Sequence, residues 1–257
     1  GRGAGTNIPW VADETALARH LSLPRAYVMN DLVATGYGIA ALAEEDLEII
    51  LPGAAGAAGN AGIVAAGTGL GETMLVEVGG DVLPIPSEGG HADFAPRTDL
   101  EIEVFRVLRA LFGRVSYEHV VSGPGLVNVG RVLHGLEGAS KTRSAHEAEA
   151  KDAEALPGVV SGNALAGTCP HCAGSLDLFV GAYGAEAGNL ALRAVARGGI
   201  YLGGGIAPRI LPALKSDAFG EAFRDKPPHR PLLESIPVRV IRNERTALLG
   251  AARFAAL

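Results

Sequence analysis

Apolar residues along the chain follow two rhythms. Short unbroken runs stop at glycine: Ile63-Val64-Ala65-Ala66 before Gly67, and Ile200-Tyr201-Leu202 before Gly203. Each reads as an apolar strand that ends in a glycine turn. Apolar residues resume from Met74 to Val78, so this stretch predicts strand, glycine turn, strand. Tyr27-Val28-Met29 is a shorter run that reads as a buried strand ending in Asn30 and Asp31. Helical spacing takes over in Leu32 to Ile39, in Leu176 to Leu192 and in an alanine-leucine segment from Thr246 to Ala256.

Start signals sharpen two further helices. Asp13 is placed to cap a short helix through Ala16-Leu17 and His20-Leu21. Thr98-Asp99-Leu100-Glu101 has capping-box spacing, and Ile102, Phe105, Leu108 and Leu111 follow at helical intervals, predicting the buried face. Residues 53–62 form a loop of glycine and alanine, and 136–156, charged and alanine-rich, read as a solvated loop or helix. Alternation of strands with helices predicts an α/β protein. No short internal repeat is visible.

Composition narrows the class without naming a chemistry. With 48% hydrophobic and 19% charged residues among 257, the chain can bury a core and is not disordered. A net charge of −6 with no basic stripe argues against nucleic acid as a partner. No apolar run reaches transmembrane length, and the start lacks a basic-then-apolar signal, so a cytoplasmic protein is expected.

Four segments carry candidate chemistry. Glu88-Gly89-Gly90-His91 sets a carboxylate and an imidazole three positions apart across two glycines, which can let the backbone turn closely past a small polyol. Asn30 and Asp31 sit where a strand gives way to a helix, a place for a ligand and equally for an N-cap made by Asp31. Gly67-Thr68-Gly69-Leu70-Gly71 can form an anion nest with the Thr68 hydroxyl as a further donor, although it is not a Walker A loop. Gly203-Gly204-Gly205 removes side chains where a flat base could slide against backbone, ahead of a helical segment. Taken singly, these are equally a surface turn, a capped helix, a hairpin and a loop.

Cys169-Pro170-His171-Cys172 is a Cys-x-x-Cys that zinc could use only with two further ligands. It precedes a long helix and reads as a pair of reduced thiols at a helix start, with His171 a surface neighbour. No metal-ligating residue is assigned.

In order along the chain, Asn30-Asp31, Gly67-Thr68-Gly69-Leu70-Gly71, Glu88 to Pro96, Ser122 to Asn128 and Gly203 to Arg209 resemble the bacterial hexokinase-type glucokinases of the actin, Hsp70 and hexokinase superfamily. The similarity runs from about Thr6-Asn7-Ile8-Pro9-Trp10 to the C-terminus. The resemblance implies a two-lobed, ribonuclease H-like, actin-like ATPase fold. It implies that Asp31 is the catalytic base, that Asn30, Glu88, His91 and Glu118 hold glucose hydroxyls, and that Gly67, Thr68, Gly69, Gly71, Gly203, Gly204 and Gly205 bind ATP carried with Mg²⁺. From its local sequence alone, Glu118 is as readily a solvated acid. A homodimer is implied as well. Residues 1–41 would belong to the small lobe, completed by the C-terminal helix in 244–257, and 42–243 would form the large lobe. The longer cysteine-rich zinc signature of the related repressor and kinase family is missing, which favours the glucokinase branch.

The family's opening Asp-x-Gly-Gly-Thr-x-x-Arg phosphate motif has no counterpart here. The expectation is a small lobe incomplete at the N-terminus, with weak nucleotide binding and reduced phosphorylation. The alternative function is an inactive sugar-binding or interaction protein derived from such a kinase. Glucose is not separated from mannose or glucosamine at this level.

Overall fold

The computed structural model describes residues 1–4, 11–136, 146–147 and 152–257. Thr6 to Trp10, where the resemblance begins, and most of 136–156 lie outside them. Strands β3 (Leu47–Leu51), β4 (Ala61–Ala66), β5 (Leu70–Val78), β6 (Asp81–Ser87), β7 (Gly199–Gly203) and β8 (Val238–Ile241) form one sheet of order β3-β8-β7-β4-β5-β6. A separate antiparallel ladder joins β1 (Arg2–Ala4) to β2 (Val11–Asp13). The helices are α1 (Glu14–His20), α2 (Asp31–Gly38), α3 (Asp99–Phe112), α4 (Gly123–Leu136), α5 (Leu156–Leu165), α6 (Pro170–Ala194), α7 (Leu211–Leu214), α8 (Asp217–Arg224), α9 (Arg230–Ser235) and α10 (Thr246–Ala255).

β4 explains why its sequence carries no polar alternation. Val64 and Ala66 join the large core that includes Leu176, Phe179, Tyr183 and Leu190 of α6, whereas Ala61 and Ile63 pack with Leu75 and with Leu32 of α2 on the other face. Successive side chains of a strand point to opposite faces, so a strand covered on both must be apolar throughout. Tyr183 reaches up from α6 and donates its hydroxyl to the Val64 carbonyl at 2.9 Å. β4, β7 and β8 run parallel, while β5, β6 and β3 are antiparallel to their neighbours. β6 lies at the edge, where Pro84 and Pro86 remove two donors that would otherwise invite another strand.

The strand expected at Tyr27–Met29 does not form. The Val28 N–H donates to Glu14 Oε1 at 2.9 Å instead of to a neighbouring strand, and the exposed Tyr27 ring meets Phe254 of α10 edge-on at 5.3 Å. Asp13 does cap α1, its Oδ1 accepting from Ala16 N at 2.9 Å. In α3, Thr98 Oγ1 accepts from Glu101 N at 3.1 Å as the box predicts, but the buried face is Glu101, Val104 and Leu108. Leu111 is 69% exposed and Ile102 also lies outward. The reason is an ion pair: Glu101 turns inward to meet Arg97 Nη2 at 2.8 Å, rotating the predicted stripe by part of a turn.

α2 and α10 cross closely on the β5–β6 side of the sheet. A methyl at Gly38 would collide with the Thr246 carbonyl, and one at Gly250 with the carbonyl of Ala34. Small residues let the two backbones approach, which fixes how α2 lies against α10.

The solvated reading of 136–156 fails at His146, which is buried, and the surface reading of His171 fails because its ring stacks on His134 at 4.7 Å. His134 and His146 bring two nitrogen donors to the Cys169–Cys172 pair, the further ligands that sequence spacing alone did not supply.

Candidate active site

Parallel strands deliver their carboxyl ends to one crevice, the usual ligand position in an open α/β sheet. β4 ends at Ala66, β7 at Gly203 and β8 at Ile241, and α2 starts alongside them. A cavity of about 350 Å³ is lined there by Leu32 and Thr35 of α2, Gly203, Gly204, Gly205, and Asn243 with its neighbours after β8. A larger cavity, about 520 Å³, lies between α3, α6 and α8 and shares none of these residues, so convergence of polar groups and chain turns, not size, selects the site.

The first glycine turn is a three-residue hairpin loop. Ala66 pairs with Leu70, and Gly67 N donates to Gly69 O at 2.9 Å. Gly123 N, at the start of α4, donates to Gly67 O at 2.8 Å, so the turn is anchored from below while Thr68 remains exposed at its tip. Gly71 is not in the turn. It belongs to β5, and a methyl there would strike Leu32 Cδ1. Its missing side chain makes room for the residue after Asp31, which seats the start of α2 beside the hairpin.

Capping assigns Asn30 and Asp31 differently from the sequence reading. Asn30 is the N-cap, its Oδ1 accepting from Leu32 N at 2.9 Å and Val33 N at 3.3 Å. Asp31 is the first helical residue and exposed, with Oδ1 at 2.9 Å from Leu32 N. A cap needs one acceptor before the first turn. Once Asn30 supplies it, the exposed Asp31 carboxylate is not needed as the cap.

Glu88 precedes a 3-10 turn, Gly89–His91. Its two glycines face the protein: a methyl at Gly90 would overlap the Leu70 carbonyl and one at Gly89 the Glu72 carboxylate. The hinge is therefore pressed onto β5, not onto an open ligand surface, and Glu88 and His91 are the exposed ends that it presents. His91 Nδ1 lies 3.7 Å from Glu118 Oε1. The other oxygen of Glu118 accepts from Leu70 N at 2.9 Å, in a space that a Gly69 side chain would fill. Arg114 closes the segment by donating to Asp93 Oδ1 at 2.7 Å and to the His91 carbonyl.

The structure thus brings Gly69, His91 and Glu118 to one mouth, with Glu88 just before the Gly89–His91 turn, and Asp31 one residue ahead of Leu32, which packs on Gly71 and lines the adjoining cavity with Gly203 to Gly205. At Gly204 the backbone has φ +79° and a methyl would overlap the Ala66 carbonyl. The chain after β7 is a 3-10 turn, Ala207–Ile210, leading into the single-turn α7, shorter than the helix expected.

Under this mouth lies a buried charge cluster that the sequence reading missed. Glu72 and Glu186 are both buried, and Arg193 reaches them at 3.4 and 2.8 Å. Asn189 joins Glu186 Oε2 at 2.8 Å to the Tyr117 hydroxyl at 3.1 Å. Burial, reinforced by the neighbouring Glu186 charge, pushes the Glu72 carboxyl up to about 8, so it holds a proton at neutral pH. Glu186 was the available signal: a lone acid in the alanine- and glycine-rich middle of α6.

Comparison with known proteins gives the site its context. A glucokinase family model matches residues 1–257. A glucokinase from Nostoc punctiforme is 40% identical over 262 residues, covering 98% of this chain and 77% of that protein. The crystal structure of a glucokinase from an Antarctic psychrotroph matches with TM-score 0.83 at 29% identity, covering 99% of this chain and 76% of that one. A ROK family glucokinase from Streptomyces griseus, crystallised with glucose and AMPPNP, shares the fold at 20% identity and TM-score 0.61, covering 94% of this chain and 71% of its own. The expected actin-like ATPase fold is the one found.

Proposed function

The chain belongs to the glucokinase family, whose members are ATP-dependent hexose kinases, and from that premise we propose how its own residues carry out phosphoryl transfer from ATP to the 6-hydroxyl of glucose. Asp31 is the base. The transition state is loose, so the alcohol proton leaves late, as its oxygen bonds to phosphorus, and a carboxylate suffices to take it.

Glu88, His91 and Glu118 hold sugar hydroxyls, and Asn30, whose Oδ1 is committed to the α2 cap, adds its amide N–H₂ as donor. Glu118 has one oxygen held by Leu70 N and turns the other toward His91, so it offers a fixed acceptor. A sugar of the wrong configuration leaves that acceptor unpaired, which is how such a pocket discriminates. Gly67 to Gly69 with Thr68 would face the phosphates, and Gly203 to Gly205 the remainder of the nucleotide. Mg²⁺ entering with the nucleotide would neutralise charge on its phosphates.

The observation that carries this reading is the packing of Leu32 into the space left by Gly71, because it sets the start of α2 beside the strand that leaves the glycine hairpin. The contact of α2 with α10 supports a small lobe of residues 1–41 with 244–257 and a large lobe of 42–243. The reading extends to a cytoplasmic, homodimeric enzyme of glycolysis. No described helix is long and apolar enough to cross a membrane. The test is a coupled assay of glucose-dependent ADP release beside calorimetric glucose binding. Binding without turnover would overturn the kinase reading.

A further inference from the structure

We propose that His134, His146, Cys169 and Cys172 form a structural zinc site, remote from the reaction crevice, that clamps the end of α4 to the beginning of α6. One ligand atom from each residue lies within 4.8 Å of all the others, and all four side chains are buried. Cys169 is 2% exposed, Cys172 0% and His134 2%.

Two edges of the cluster have tetrahedral length. Cys169 Sγ lies 3.6 Å from His134 Nε2 and Cys172 Sγ lies 3.5 Å from His146 Nδ1. Zinc bonds of ~2.3 Å to sulfur and ~2.0–2.1 Å to nitrogen, opened to the tetrahedral angle, give S···N edges of about 3.6 Å. The tautomer also fits. His134 Nδ1 lies 2.6 Å from the Gly130 carbonyl and donates its proton there, which leaves Nε2 as a lone pair aimed at the cluster. Cys169 is the N-cap of the 25-residue α6 and its sulfur accepts from Cys172 N at 3.4 Å. The positive end of a helix dipole favours a sulfur that carries negative charge.

Two thiolates and two neutral imidazoles are borderline-soft donors, which choose zinc over magnesium or calcium. Among the described residues the set numbers four protein ligands, the mark of a structural rather than a catalytic centre. Neither cysteine is in a disulfide. Arg131 of α4 holds Glu147, next to His146, at 3.1 Å, so an ion pair already brings that ligand to the helix. Because α4 begins at Gly123, which anchors the hairpin through Gly67, the clamp would steady the far end of a helix that supports the active site. It does not touch the reacting groups.

The experiment uses tag-free protein, loaded with Zn²⁺ alone, then dialysed and analysed for metal by mass spectrometry. About one equivalent per chain is expected. Chelation should lower the melting temperature, and Zn²⁺, not Mg²⁺, should restore it. Substitution with Co²⁺ should give intense tetrahedral d–d bands and a thiolate charge-transfer band. The double variant Cys169→Ser, Cys172→Ser should lose both metal and bands, whereas His229→Ala, an exposed histidine elsewhere, should keep them. Zinc retained by the double variant, weak octahedral cobalt bands, or a disulfide found in the purified protein would overturn the proposal. If the double variant does not fold, the cobalt spectrum of the unmodified protein decides by the presence or absence of the charge-transfer band.

Discussion

Glu118 accepts the Leu70 N–H at 2.9 Å, tying a carboxylate of the second half of the site to the first residue after the glycine hairpin. This bond makes the sugar side and the phosphate side of the crevice mechanically one. Glu118→Gln can keep the bond to Leu70 N through its amide oxygen, so folding should survive. Its remaining group becomes a donor, and glucose binding should weaken by about tenfold to a hundredfold, the equivalent of one lost charge-assisted hydrogen bond. Calorimetric titration checks this, and unchanged affinity would restrict Glu118 to holding the turn.

Asn30 and Asp31 are adjacent yet should fail differently. Asp31→Asn should lower kcat by at least about a hundredfold with glucose affinity nearly unchanged, because the amide cannot take the proton. Asn30→Ala should instead cost about 1 kcal/mol of stability through the lost α2 cap. Turnover within about tenfold of the parent in Asp31→Asn would remove Asp31 as base.

Two glycines distinguish packing from ligand approach. Gly90→Ala should destabilise the fold by about 1–3 kcal/mol, since its methyl meets the Leu70 carbonyl. At Gly205 a methyl has nothing within 4 Å. Gly205→Ala should therefore leave the denaturation midpoint in place and raise the KM for ATP. An unchanged KM would take Gly205 out of the nucleotide site.

Glu72 makes stability depend on pH. Its folded-state carboxyl titrates at about 8, above its ordinary value, because of burial and then the Glu186 charge. Between these values the folded state binds the extra proton, so the contribution is complete below pH 4.5 and is lost as pH rises through about 8. The slope approaches, at most, about 1.4 kcal/mol per pH unit. Glu72→Gln should flatten it, leaving the variant relatively more stable at pH 8 than the parent. Equal slopes in urea denaturation across pH 5 to 8 would contradict a buried, protonated Glu72.

The sequence alone determined what local chemistry can determine. Unbroken apolar runs marked β4 and β7, Thr98 and Asp13 marked helix starts, and the strand, glycine turn, strand order followed from apolar runs on either side of the glycine cluster. Ordered motif matches marked the family. What it misjudged was settled by particular side-chain partners, some a turn away and some far along the chain. Asn30 and not Asp31 became the cap, Glu101 turned α3 to reach Arg97, and Val28 spent its N–H on Glu14 instead of on a strand. Glu118, weakest in its local context, gained its place from Leu70, 48 positions away. The same holds for Cys169 and Cys172, whose nitrogen neighbours lie 35 and 26 residues distant. Periodicity and capping are short-range and can be read in order along the chain. Buried charges, close glycine contacts and ligand clusters depend on which surfaces meet, and only packing in three dimensions decides that.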